Sequence, residues 1–350
     1  MQINYETIKC KNVLKNLGVL ATRFWTKCSF DPYVNCELNC TYCNTGVSSN
    51  LDTGEGASTV YVKVNAPEIL AKELNLLKRK AVLNMGVMVD PYQPAEANYR
   101  ITRKILEVLK EYNCPFAIGT KSDLILRDLD LIAEASKNFH CCIALSITTM
   151  DEKLAKLLEP NAPTPQRRLE VLSELSKEGI MVGVWLTPII PYITDTNRNI
   201  AYVIKAAKEN GAKFILGGAL DMRASHKFQS FLKENFAQYL TSYKKLYGWR
   251  NGISTYYPSD LYLWRLYKKF IFICQRYRVE RYIPHFHTRK QALLFYLQNF
   301  SKFKDTPIFE LTQILNYLPL SQDFLQIMQV KYGNHAFSKG LLKMLRYFPH

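Results

Sequence analysis

From Pro67 to Leu220 the hydrophobic pattern switches repeatedly between a helical period and short apolar runs, and no other feature restricts the fold as strongly. Helical spacing marks 66–80, 99–112, 127–137, 164–178 and 196–210. Runs enriched in β-branched residues mark 81–89, 116–120, 141–148, 180–187 and 214–220 as strands. Gly179 and Gly211 stand just beyond two of the helices, where a left-handed stop is common. Ahead of this region, 1–20 reads as a basic, helix-like start, 21–30 alternates as a first strand, and 44–58 is a polar, glycine-containing excursion. Six strand–helix alternations within about 220 residues argue for a parallel α/β sheet covered by helices.

After residue 221 the texture changes. Residues 225–246 and 261–276 carry helical periodicity with many aromatics, so the chain divides into an α/β core with its lead-in, 1–220, and a helical extension, 221–350. The net charge of +16 concentrates in that extension, where 20 Lys and Arg face only 7 Asp and Glu. A basic surface of this kind attracts polyanions, nucleic acid first and anionic membrane second. The plainer alternative is lysine excess without a ligand. Rings and cations interleave at Trp249-Arg250, Tyr256-Tyr257, Trp264-Arg265-Leu266-Tyr267-Lys268-Lys269 and Arg276-Tyr277-Arg278. Such a stretch suits stacking on bases, or a helix whose aromatic face is packed and whose cations are solvated. Apolar runs such as 180–185 fall far short of the roughly 20 residues of a membrane span, so no membrane association is expected. The start Met1-Gln2-Ile3-Asn4-Tyr5-Glu6 shows no basic-then-apolar leader, which makes the cytoplasm the expected compartment.

Cys36-Glu37-Leu38-Asn39-Cys40-Thr41-Tyr42-Cys43 places three thiols within eight residues. Three thiolates can hold three irons of a [4Fe–4S] cubane and leave the fourth to a ligand that is not protein. Structural zinc would want a fourth Cys or His nearby, whereas the next cysteine is Cys114 and the nearest histidine His140. An odd count of nine cysteines argues against a disulfide framework. The spacing favours the cluster, with zinc or unliganded core thiols as the remaining readings. The loop follows the first strand, and loops after strands at one end of a barrel are where active sites are built. His285-Phe286-His287 is a weak second metal candidate, lacking a neighbouring carboxylate or thiol.

The pattern C-x3-C-x-aromatic-C also resembles the signature of the radical S-adenosylmethionine (SAM) enzymes. Further segments are similar to the spore photoproduct lyase-like branch of that superfamily, across roughly residues 20–220: Asp90-Pro91-Tyr92-Gln93-Pro94-Ala95-Glu96, Thr120-Lys121-Ser122, Leu124-Ile125-Leu126-Arg127-Asp128, Ser146-Ile147-Thr148-Thr149, Glu159-Pro160-Asn161-Ala162-Pro163, Arg168-Leu169 and Pro188-Ile189-Ile190-Pro191. The resemblance implies an open (β/α)6 partial TIM barrel. It implies that Cys36, Cys40 and Cys43 bind a [4Fe–4S] cluster, that SAM closes the fourth iron, and that an electron donor such as flavodoxin or ferredoxin drives formation of a 5′-deoxyadenosyl radical. Lys121 matches the strand-end lysine that contacts the SAM carboxylate, a charge pairing that is chemically apt. Ser146 matches a serine near SAM on the fourth strand, and Tyr42 the aromatic that packs on the cluster loop and adenine. Asp90 follows the second strand, where the superfamily often recognises the SAM amine.

Two departures bear on the reaction. The branch's hydrogen-donor cysteine, three residues before the aspartate matched by Asp90, is Val87 here, and the tyrosine that follows its third cluster cysteine is Asn44. Valine cannot return a hydrogen atom to a substrate radical, so spore photoproduct cleavage is in doubt while radical generation is intact. Cys141 or Cys142 could donate instead if it faced the barrel interior; otherwise both, like Cys114 and Cys274, are small core residues. The leading expectation is a radical SAM enzyme acting on a nucleic-acid base in DNA repair or RNA modification, with no catalytic hydrogen donor assigned. Modification of a peptide or small metabolite is a second reading. A non-catalytic iron–sulfur protein that binds nucleic acid is a third.

Overall fold

The structure, a computed structural model, describes residues 3–21, 26–43, 59–77, 82–222, 225–248, 257–281 and 283. Met1–Phe286 form one compact unit; the other, His287–His350, falls outside the described residues. Trp249, Arg250, Tyr256, His285, His287, Asn44 and the side chain of Trp264 lie outside them as well.

The N-terminal region is built of strands: β1 (Asn4–Ile8), β2 (Lys15–Ala21), β3 (Thr26–Phe30), β4 (Tyr33–Val34) and β5 (Thr59–Lys63). The helix-like reading of 1–20 is therefore corrected. Strand β1 is held by long-range pairing with β5, register Asn4↔Thr59 to Ile8↔Lys63, which local sequence character cannot report. From there the chain alternates as its pattern requires: α1 (Ala66–Leu76), β6 (Leu83–Met85), α2 (Ala95–Tyr99), α3 (Ile101–Glu111), β7 (Phe116–Thr120), α4 (Leu129–Asn138), β8 (Cys141–Ser146), α5 (Glu152–Leu158), α6 (Pro165–Lys177), β9 (Met181–Ile189), α7 (Asn197–Glu209) and β10 (Phe214–Ala219). Then come α8 (Ser225–Asn235), α9 (Leu240–Leu246) and α10 (Asp260–Arg276).

Among the described residues the principal sheet runs β10-β9-β8-β7-β6-β3-β2. Its six strands from β3 to β10 pair in parallel, and β2 adds antiparallel to β3 at one edge. This is the open (β/α)6 partial barrel, with a small β1-β5-β4 sheet beside it. Strands β7, β8 and β10 are buried along their whole length, as expected of parallel strands covered on both faces. Strand alternation separates the two cysteines of β8. Cys141 lies against α4, its Sγ 3.7 Å from the Ile132 carbonyl, whereas Cys142 joins Ala117, Ala144, Phe214 and Leu216 inside the barrel. The interior is crossed by Trp185, whose ring occupies the place a Cβ on Gly119 would take, 1.9 Å away. Strand β6 is shorter than the apolar run 81–89 suggests. Gly86, with φ 85°, turns the chain onto the β7 backbone, where a Cβ would meet the Gly119 carbonyl oxygen at 2.2 Å.

Helix ends follow local chemistry. Thr164 and Thr196 cap α6 and α7 by accepting hydrogen bonds from the backbone N–H of Arg167 and Asn199, and Gly179 and Gly211 follow with φ of 76° and 94°. The predicted helix over 99–112 is α3, and Arg100, with φ 53°, separates it from α2, a short helix that the periodicity does not mark. In the C-terminal part, α10 lies on α7 and β10, with Phe270 against Gly217. The chain then returns so that Glu280 exchanges backbone hydrogen bonds with Lys213 and Ile215 beside β10, covering an edge that would otherwise be open. Tyr267 is 1% exposed while Arg265, Lys268 and Arg276 face outward. Within α10 the interleaved rings and cations thus resolve as a packed face and a solvated face, and Tyr267 is not available to stack on a base. Among the described residues, no helix is long and apolar enough to cross a membrane.

Candidate functional site

The cysteine loop sits at the C-terminal end of the parallel strands and is held on several sides by groups distant in sequence. Asn35 and Asn39 take positive φ of 66° and 49°, a conformation asparagine tolerates better than most residues. Glu37 ties the loop outward: its carboxylate accepts from the Ala95 N–H at the start of α2 (2.7 Å) and from the Tyr5 hydroxyl (2.7 Å). Gln93 answers from the other direction, accepting from the Glu37 N–H at 2.9 Å and donating to the Asn35 carbonyl at 3.1 Å. The Asp90–Glu96 segment is therefore a scaffold for the loop before it is anything else.

A second scaffold comes from the segment after α5. The Leu158 carbonyl accepts from the Thr41 N–H (2.9 Å), and Asn161 donates to the Glu37 carbonyl (2.8 Å). Between them Glu159 accepts from the Tyr42 hydroxyl and pairs with Arg168 at 2.5 Å. Both charged side chains are essentially excluded from solvent, at 0% and 1% exposure. Arg168 also donates to the carbonyls of Ser146 (2.8 Å) and Pro163 (2.9 Å), which accounts for most of its fork. Burial pushes the Glu159 carboxyl up, but Arg168, Lys121 and the Tyr42 hydroxyl outweigh burial and hold it below the usual range. The Tyr42 phenol is driven well above its ordinary value by burial and by Glu159 beside it, so Tyr42 stays a hydrogen-bond donor.

Asp90 and Lys121 are brought together at the ends of β6 and β7. The Asp90 carboxylate accepts from the Tyr92 N–H (2.9 Å), the Thr120 hydroxyl (2.6 Å) and the Lys121 N–H (2.7 Å). Three of about four acceptor directions are thereby used within the chain. The Lys121 ammonium lies 5.8 Å from the centre of the Tyr42 ring, a cation–π distance. Burial opposes its charge, but Cys40 and Glu159 attract it more strongly, so the ammonium is favoured. Ser146 ends β8 in register with Trp185, its carbonyl fixed by Arg168. Val87 is half-buried in the turn after β6, next to Met88 and Val89, whose N–H groups both bond Asp31.

The fourth side is formed by α8 and α9. Phe228, Phe231, Leu232, Tyr243, Leu246 and Tyr247 make one buried cluster with Leu38, Cys40 and Tyr42, and Cys36 and Cys43 pack against it. Tyr243 and Tyr247 stack with centroids 5.7 Å apart and planes 8° apart. Lys227 reaches from α8 to the cysteine loop and donates to Asn39 Oδ1 (2.5 Å), the Cys40 carbonyl (2.9 Å) and the Asn39 carbonyl (3.2 Å). Burial lowers its pKa, and all three loop cysteines oppose that shift.

The donor set fits a cubane better than a single ion. Cys36, Cys40 and Cys43 interact electrostatically with one another, burial drives Cys36 well up and Cys40 to about 12, and each would ionise on binding iron. Yet among the described residues no three His, Cys, Asp or Glu side chains converge as they would around one metal ion. In a cubane each thiolate binds a different iron, so mutual convergence on one point is not required. Glu37, Gln93, Asn161 and Lys227 are site residues that the sequence reading did not single out for roles. The first three lie in or beside the recognised motifs, whereas Lys227 carries no local signal at all.

Comparison with known proteins bears on the family and the fold. A domain described as Radical SAM superfamily matches residues 31–204. An uncharacterized protein of Mycobacterium tuberculosis is 29% identical over 255 residues, 70% of this chain and 74% of that one. An uncharacterized protein of Methanocaldococcus jannaschii is 30% identical over 207 residues, 59% of this chain and 75% of that one. Among solved structures, spore photoproduct lyase complexed with dinucleoside spore photoproduct superimposes with a TM-score of 0.60 at 14% identity, covering 78% of this chain and 79% of that one. A variant of that enzyme with bound AdoMet gives the same TM-score at 14% identity, covering 77% and 78%. At such identity the likeness is one of fold.

Proposed function

Because the chain belongs to the radical SAM superfamily, whose members use a [4Fe–4S] cluster and SAM, we propose that Cys36, Cys40 and Cys43 are its cluster ligands and that its substrate is a nucleic-acid base. The observation that carries the cofactor assignment is the meeting of three loop thiols with the Lys121 ammonium inside a buried polar frame. When bound, cluster and SAM supply a 5′-deoxyadenosyl radical able to abstract hydrogen. Lys121 pairs with the SAM carboxylate, which a cation held between Tyr42 and Cys40 suits. Tyr42 presents its ring to the same space while its hydroxyl is anchored on Glu159. Asp90 holds the Lys121 strand end and keeps one acceptor direction for the SAM amine. Ser146, at the end of β8, completes the SAM pocket.

The nucleic-acid reading draws support from the positive charge of 221–350 and from a fold shared with an enzyme whose structure contains a dinucleoside. Cys142, the barrel-facing thiol of β8, is packed among apolar side chains at 1% exposure, which disfavours it as the hydrogen donor. With valine at position 87, the substrate radical takes another course than quenching at that site. An electron donor of the flavodoxin or ferredoxin kind and a reducing cytoplasm suit an oxygen-sensitive cluster.

Anaerobic reconstitution followed by reduction with SAM tests the reading. Methionine and 5′-deoxyadenosine accumulate with the full chain and with neither Cys40→Ala nor Cys43→Ala. A fully loaded protein that leaves SAM intact would refute enzymatic radical chemistry. Deuterated DNA or RNA supplied to the active protein transfers deuterium into 5′-deoxyadenosine, and absence of label from both polymers removes the substrate assignment alone.

A further inference from the structure

Lys227 lies beyond the matched superfamily domain, which ends at residue 204, yet it touches the centre of the cysteine loop. An ammonium has three donors, and all three are spent on two consecutive residues, Asn39 and Cys40. Asn39 is the residue at φ 49° between the first two cysteines. The same side chain is electrostatically coupled to Cys36, Cys40 and Cys43. Its helix is anchored independently: Phe228 and Phe231, both just after it in sequence, are buried in the aromatic cluster, the Phe228 ring centroid 5.7 Å from that of Phe231 and 5.9 Å from that of Tyr243. The lysine is thus delivered by a packed helix, and among the described residues no carboxylate pairs with it.

We propose that Lys227 is a positioning residue for the iron–sulfur cluster, fixing the left-handed turn at Asn39 and placing a cation beside the three thiolates so that the cluster accepts its electron more readily. The physical cause is charge. Three thiolates on a [4Fe–4S] core give an anionic assembly, one-electron reduction adds a further negative charge, and a nearby cation in a partly dehydrated setting favours the reduced form. Lys121 stands on the β7 side of the same loop, where SAM is expected to engage it; Lys227 makes its contacts to protein carbonyls and keeps its charge directed at the loop. The consequence is that the C-terminal helices take part in the redox poise of a site whose ligands lie wholly in the N-terminal part. The inference depends on the three cysteines holding a cluster and is independent of the substrate.

The test is a redox titration of the full chain, reconstituted anaerobically and followed by electron paramagnetic resonance of the reduced cluster in the absence of SAM. Wild type, Lys227→Met and Lys227→Arg are compared, each with iron and sulfide content measured. At a potential where wild type is half reduced, the Met variant has a reduced-to-oxidised ratio about tenfold lower, a shift of about 59 mV for one electron, and the Arg variant stays close to wild type. If Lys227→Met fails to retain its cluster, Lys227→Gln, which keeps a donor for the loop without the charge, is titrated instead and shows the same lowering. A neutral variant with the wild-type midpoint overturns the proposal, as does an Arg variant displaced as far as the neutral ones. A chain in which none of the variants, Arg included, holds a cluster assigns Lys227 to folding and also overturns the redox role.

Discussion

The side of the cysteine loop that faces the ends of β6, β7 and β8 is polar and buried, whereas the side formed by α8 and α9 is aromatic. On the first, Glu37 is bonded to Gln93 and Asn161, Asp90 to the Lys121 strand end, and the Glu159–Arg168 pair is sealed from water. On the second, rings stack, and the hydroxyls of Tyr243 and Tyr247 reach single carbonyls, those of Pro191 (2.8 Å) and Leu220 (3.0 Å). The difference is one of tolerance. A buried ionic network has one satisfied arrangement, and deleting any member leaves a charge or lone pair without compensation. Aromatic packing is less demanding, because rings can slide while keeping their area buried. The polar side accordingly sets loop geometry, and the aromatic side closes the site and carries Lys227 to it.

This contrast can be broken by measurement. Arg168→Met has the largest expected effect, a loss of about 3–5 kcal/mol in urea unfolding, since it strands the Glu159 carboxylate in the interior. A loss below about 1 kcal/mol would mean that water reaches the pair and that the frame is not sealed. Tyr42→Phe keeps the ring near Lys121 but removes a donor to a charged acceptor, and about 1.5–3 kcal/mol should go with it. Tyr243→Phe is the matched change on the aromatic side. Its hydroxyl serves a neutral carbonyl, so about 0.5–1.5 kcal/mol is expected, and a cost equal to that of Tyr42→Phe would erase the distinction.

The smallest effect is a pH dependence. Glu159 has a folded pKa below its unfolded one, so the stability it contributes is fully present above the ordinary carboxylate range and is lost as pH falls through the depressed folded value. Comparing urea midpoints down an acid series, wild type should lose ground on Glu159→Gln as pH drops below about 4, near the reference carboxylate pKa. Parallel curves for the two proteins would show that Glu159 does not carry this dependence.

Much of the barrel was legible in the chain itself. The alternation from 66 to 220 located β7, β8 and β10 and the helices α4, α6 and α7 to within a few residues, because each buries a continuous apolar face whose period survives in one dimension. Strand β1 was misread because its stability comes from β5, some 55 residues away. The run over 81–89 was too long a strand because the close approach of Gly86 to β7 ends it, and no local pattern reports on a neighbouring strand. The interleaved rings and cations of 264–269 left two readings open until burial of Tyr267 showed which face of α10 packs.

For the site the division follows the same logic. Spacing alone determined that Cys36, Cys40 and Cys43 stay together, since three thiols within eight residues cannot separate far in any fold, and three thiolates so placed suit a cluster with one iron left open. Tertiary structure alone decided what surrounds them: that Asp90 spends its carboxylate on the Lys121 strand end, that Glu159 and Arg168 back Tyr42, and that a lysine 187 residues along the chain closes on the Cys40 carbonyl. A ligand set is a local property fixed by covalent reach, whereas its electrostatic setting is the sum of charges that only folding brings within a few ångströms.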